Sequence, residues 1–103
     1  MSLDSRYAIE QTLRLLSIPS PTGCTREVSQ ALCQTLEALG FSPRTLRKGG
    51  VVCPLGGQGR PLALASHVDT LGLMVRAIKK DGKLAFTRLG GPCLPTLDGE
   101  YCR

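Results

Sequence analysis

Leu62-Ala63-Leu64-Ala65-Ser66-His67-Val68-Asp69-Thr70-Leu71-Gly72-Leu73-Met74-Val75 sets an apolar run just ahead of the chain's one histidine, with an aspartate two residues further on. Residues 62–65 are apolar without alternation, the pattern of a strand covered on both faces in an α/β sheet. This predicts that His67 stands at a strand terminus. An imidazole there can offer a neutral nitrogen to a metal, and a nearby carboxylate can fix its tautomer and orientation. A lone histidine at a strand end is also commonly a hydrogen-bonded packing residue, because a zinc site needs three or four protein ligands. His67 is therefore the candidate metal ligand and Asp69 its candidate catalytic partner.

On the N-terminal side, Ile9, Leu13 and Leu16 recur at helical spacing, which predicts an amphipathic helix from about Ser5 to Leu16 with Asp4 or Ser5 capping its first amides. Pro19, Pro21 and Gly23 then stop the helix and turn the chain. A second helix is expected from about Thr25 to Leu39, with Val28, Ala31, Leu32, Leu36 and Leu39 on one face. Glu27 suits its first turn, and Gly40 suits a C-cap.

Beyond Phe41 the pattern changes to short runs separated by glycines. Strands are expected over about Thr45 to Arg47, Val51 to Cys53, Leu62 to Ser66, Leu71 to Ile78 and Lys83 to Leu89. Lys80-Asp81-Gly82 joins the last two as a hairpin that alternates more strongly and belongs to a separate β unit. Leu89-Gly90-Gly91-Pro92 reads as a turn, after which the chain stops at Tyr101-Cys102-Arg103 with a sheet edge left unpaired. We therefore expect an incomplete chain, the N-terminal portion of a longer protein.

The 103 residues suffice for one modest domain, and no apolar run approaches the roughly 20 residues that span a bilayer. The start, Met1-Ser2-Leu3-Asp4-Ser5, has neither the basic stretch nor the apolar core of a secretory signal, so a cytoplasmic protein without a membrane partner is expected. Five cysteines, at 24, 33, 53, 93 and 102, are odd in number and irregular in spacing, which suggests reduced and mostly buried thiols rather than a disulfide framework. Thirteen basic against eight acidic residues give a net charge of +5, but the basic residues are dispersed and the four aromatics show no RNA-stacking pattern. The charge reads as a solvated face and no nucleic-acid partner is expected. Asp81, Asp98 and Glu100 sit in turn-like segments, where solvent exposure is the expected role.

The succession of helix, Pro19-Ser20-Pro21-Thr22-Gly23 turn, amphipathic helix, glycine-punctuated strands and Ala65-Ser66-His67-Val68-Asp69-Thr70-Leu71-Gly72-Leu73-Met74-Val75 resembles the start of the glutamyl and deblocking aminopeptidases. The resemblance continues through Ile78, Asp81-Gly82, Leu84, Phe86, Leu89-Gly90-Gly91 and Leu97-Asp98-Gly99-Glu100, and so covers nearly the whole chain. It departs at Thr70, where many members carry glutamate.

The family's enzymes are two-metal exopeptidases. The resemblance implies an α/β fold in which helices flank a mixed central sheet of zinc-exopeptidase type, followed by the start of an inserted β dimerisation domain. Residues 1–72 would be the N-terminal part of the catalytic domain and residues 73–103 the start of the insert. His67 would be a metal ligand and Asp69 the residue that orients it. Two divalent ions, zinc or cobalt, about 3.5–4 Å apart, would activate a water against an N-terminal peptide bond. A peptide is the implied substrate, and a homo-oligomer formed through the insert the implied assembly. The remaining ligands and the glutamate base lie beyond the insert in such enzymes, so the chain alone is expected to be inactive. Two other functions fit the residues: a non-catalytic interaction module assembling through the hairpin and strand edge, and a small basic nucleic-acid-binding domain.

Overall fold

The computed structural model describes residues 4–102. Helix α1 spans Ser5–Leu16, and the Asp4 carboxylate accepts the Tyr7 N–H at 3.0 Å, as the capping signal predicts. Helix α2 spans Arg26–Ala38. It closes with the Gly40 N–H on the Glu37 carbonyl at 2.9 Å and the Phe41 N–H on the Leu36 carbonyl at 3.0 Å, the paired bonds of a Schellman motif.

Two short strands follow, β1 (Arg44–Thr45) and β2 (Val51–Val52), paired antiparallel with Thr45 opposite Val51. Helix α2 lies against both. The anchor is Ser29, 5% exposed, whose hydroxyl donates to the Gly49 carbonyl in the β1–β2 turn at 2.6 Å. Val28, beside it in sequence, is fully buried, and Val28 and Pro92 are the buried apolar side chains among the described residues.

The second sheet is a hairpin of β3 (Gly72–Ile78) and β4 (Leu84–Leu89). Its loop is 80–82, with the Gly82 N–H on the Lys79 carbonyl at 3.0 Å and the Lys79 N–H on the Lys83 carbonyl at 2.8 Å. Gly82 holds φ +81°, the left-handed residue that a three-residue hairpin loop demands. The register slips once, between Val75 and Ala77, so Arg76 is an extra residue bulged out of β3. A single 3₁₀ turn, Leu94–Leu97, follows the hairpin. Asp81, Asp98 and Glu100 are exposed as expected, and Asp81 pairs with Lys83 Nζ at 3.2 Å.

Three expectations about the strands and their packing need correction. Residues 62–66 form no strand: they pair with no other segment, and Leu62 and Leu64 are 85% and 86% exposed. An apolar run becomes a strand only where neighbours supply ladder hydrogen bonds on its edges, and among the described residues none lies beside it. Among the described residues the strands form two separate two-stranded antiparallel sheets rather than one central mixed sheet. For the same reason α1 does not pack on a sheet. It reaches α2 through Arg14, whose guanidinium donates to Thr35 Oγ1 at 2.7 Å, while Ile9, Leu13 and Leu16 remain 61–64% exposed.

The cysteines are free, as expected, but none is buried: Cys24, Cys93 and Cys102 are exposed and Cys33 and Cys53 half-buried. With a radius of gyration of 17.8 Å, against about 13 Å for a compact domain of this length, the chain has too little interior to hide them. What the architecture offers is a small mixed α/β scaffold whose apolar faces lie open. No helix among the described residues is long and apolar enough to cross a membrane.

Candidate functional site

His67 and Asp69 lie on the extended stretch between the apolar run and β3, and a clamp from the loop after α1 fixes that stretch. Ser20 is fully buried. Its hydroxyl donates to the Val68 carbonyl at 2.9 Å, and its own carbonyl accepts the Thr70 N–H at 2.9 Å. Pro21 and Thr70 consequently form a parallel bridge. The contact is close because Gly72 has no side chain: a Cβ there would stand 2.6 Å from Pro21 Cβ. The proline-rich segment that stops α1 is thus also the element that holds residues 68–72.

The same segment turns at Pro21-Thr22-Gly23-Cys24, with the Cys24 N–H on the Pro21 carbonyl at 2.8 Å. Gly23 adopts φ +91°, as the third position of a type II turn requires. Thr22, at the second position, donates its hydroxyl to Asp69 Oδ2 at 3.0 Å. Asp69 Oδ1 meets His67 Nδ1 at 3.1 Å. A carboxylate only accepts, so the neutral imidazole must carry its proton on Nδ1. Nε2 is then a lone-pair donor, and among the described residues it has no hydrogen-bond partner on a ring that is 86% exposed.

The Thr22 hydroxyl is the main cause that holds the Asp69 carboxyl below the ordinary carboxylate range; desolvation opposes it, and the hydrogen bond to the His67 imidazole adds a smaller lowering. Asp69 is therefore an anion at neutral pH, suited to stabilise an imidazole that gives its other nitrogen to a cation.

The pair borders a groove of about 560 Å³ between α2, the β1–β2 turn and residues 66–69. Leu32, Leu36 and Val51 supply apolar lining, and Lys48 lines it as well. The structure brings the two residues singled out in the sequence, His67 and Asp69, together. It brings no further donors to them: among the described residues, no group of three histidine, cysteine or acidic side chains could hold a metal ion. Thr22 and Ser20 escaped the sequence reading, which took their segment as a helix stop and turn and gave neither residue a role at the site. Their partners lie 47 and 48 residues away, and nothing local signals so distant a contact.

The sequence profile of the M42 glutamyl aminopeptidases matches residues 49–103, a span that includes His67, Asp69 and the whole hairpin. The chain belongs to this family. It is similar to the Bacillus subtilis (strain 168) protein named "Putative aminopeptidase YhfE", with 40% identity over 100 residues, 95% of this chain and 29% of that relative. It is also similar to the Escherichia coli (strain K12) protein named "Putative aminopeptidase FrvX", with 32% identity over 83 residues, 81% of this chain and 23% of that relative. The M42 chain described here therefore spans less than a third of either relative's length.

Proposed function

We propose that this chain contributes one histidine ligand to the metal site of an aminopeptidase that removes N-terminal residues from peptides. The observation that carries the reading is the His67–Asp69 pair, which leaves Nε2 as an exposed donor beside the groove. The family membership and the relatives' names support the reaction class.

One imidazole fits as a single ligand and does not make a complete site. Asp69 would keep the ring in the Nδ1–H tautomer, and the groove would receive part of the peptide. A pair of zinc or cobalt ions, when bound, would supply an activated water and polarise the scissile carbonyl. On this reading the other ligands and the general base would come from elsewhere, and no activity is expected of the 103-residue chain by itself. The five free thiols support a reducing compartment, the cytoplasm.

The test uses aminoacyl p-nitroanilides with added zinc or cobalt, on this chain and on a fusion of it to the remaining length of the Bacillus relative. The chain alone should give no turnover, whereas the fusion should be active and lose activity on His67→Ala. Turnover by the chain alone would overturn its inactivity. A fusion indifferent to His67→Ala would overturn the ligand assignment.

A second reading rests on the hairpin. Leu73, Val75, Ile78, Leu84 and Phe86 share one face of the β3–β4 sheet, and the last four are 44–76% exposed. A homo-oligomer assembling through this face accounts for them. Sedimentation equilibrium of the wild type and of Phe86→Lys tests it: a wild-type monomer excludes this mode of assembly.

A further inference from the structure

We propose that Thr22 is a positioning residue of the His67 site, one that acts through Asp69. The inference rests on the reading of His67 as an oriented ligand.

A carboxylate held by one oxygen turns about its terminal torsion, which is broad and poorly restrained. Asp69 is held by both. Oδ1 takes the His67 Nδ1–H at 3.1 Å and Oδ2 takes the Thr22 hydroxyl at 3.0 Å, so the carboxylate plane is fixed from two sides. The second anchor is itself anchored. Thr22 follows Pro21, which bridges to Thr70, and Ser20, which is bonded to both Val68 and Thr70. His67, Val68, Asp69 and Thr70 are therefore spanned by one three-residue segment, and only Thr22 within it reaches the charged group. Threonine suits the position, since branching at Cβ restricts χ1 and so limits where the hydroxyl points.

His67 is the chain's only histidine, so its ring nitrogens give a single set of long-range ¹⁵N–¹H correlations. These report which nitrogen carries the proton when the imidazole is neutral, and they require no metal. The wild type should show the Nδ1–H form in excess. Thr22→Val, which keeps the shape and removes the hydroxyl, should lower the Nδ1–H to Nε2–H ratio by roughly a factor of two to three, the scale of one solvent-exposed hydrogen bond. Thr22→Ser should keep it, and Asp69→Asn should abolish the excess.

A ratio unchanged in Thr22→Val but lost in Asp69→Asn would overturn the role of Thr22 and leave the His67–Asp69 pair standing. No Nδ1–H excess in the wild type would overturn the pair, and this inference with it. Should Thr22→Val disturb the turn, seen as lost protection of the Thr70 amide, Thr22→Ser decides instead. In the fusion protein, chelator competition for zinc gives a second readout: Thr22→Val should weaken binding by a similar factor, Thr22→Ser should not, and equal affinities in all three would overturn the proposal.

Discussion

Gly72→Ala should open the clamp on the His67 segment. An added Cβ would stand 2.6 Å from Pro21 Cβ, whereas carbon atoms in ordinary contact keep about 3.5–4.0 Å. About 1 Å must therefore be gained. Pro21 Cβ belongs to a ring tied to the backbone at both ends and cannot rotate aside, so the gap must come from separating the two chain segments. The Thr70 N–H to Ser20 carbonyl bond, 2.9 Å in the intact clamp, would then stretch beyond hydrogen-bonding range. Overpacking of this kind costs about 1–3 kcal/mol, or about 5- to 150-fold in the equilibrium for local opening. Amide hydrogen exchange at Thr70 reads that equilibrium directly. Gly91→Ala is the matched control, because nothing lies within 4 Å of its added Cβ. Thr70 protection in Gly72→Ala within about twofold of wild type would refute the clamp as the element that holds residues 68–72.

Three other outcomes are expected. The Asp69 carboxyl should titrate below the ordinary range in a ¹³C-detected experiment, and Thr22→Val should move its midpoint upward; because the folded-state value is the lower one, the carboxylate's stabilising contribution is present above the ordinary range and fades as pH falls through the lowered value. Asp4→Ala should weaken the first turn of α1 by about 1 kcal/mol, visible as a shifted Tyr7 amide resonance and lower helicity by circular dichroism. Gly82→Ala meets no neighbour within 4 Å, so its cost of about 1–2 kcal/mol is that of a left-handed backbone alone, and weaker Val75–Phe86 cross-strand contacts by nuclear Overhauser measurement should report it.

The parts of this fold that were legible beforehand are those fixed within a few residues. Asp4 sits three residues from the amide it caps, Gly40 closes the helix it follows, and 80–82 turns the two strands it joins. His67 and Asp69 are two residues apart, and their bond too is local. The run 62–66 misled because hydrophobicity states only that a segment seeks cover; whether it becomes a strand depends on edges that other segments must provide. Arg76 gave no sign of bulging, since a bulge exists only relative to a partner strand. Thr22 and Ser20 looked like punctuation after a helix because their partners lie nearly half the chain away.

The bulge at Arg76 makes the hairpin unusually tolerant of one kind of length change. On β4 the apolar face is counted strictly in twos, Leu84, Phe86, whereas on β3 the count skips a beat between Val75 and Ile78. Deleting Arg76 would leave Val75 opposite Phe86, Ala77 opposite Ala85 and Ile78 opposite Leu84, so every side chain would keep its neighbour and only the local bend would straighten. Deleting Met74 instead would displace every residue before it by one place and send Leu73 through to the reverse side. Two excisions of equal size, two positions apart, would thus differ completely: one trims a spare link, the other turns part of the strand inside out.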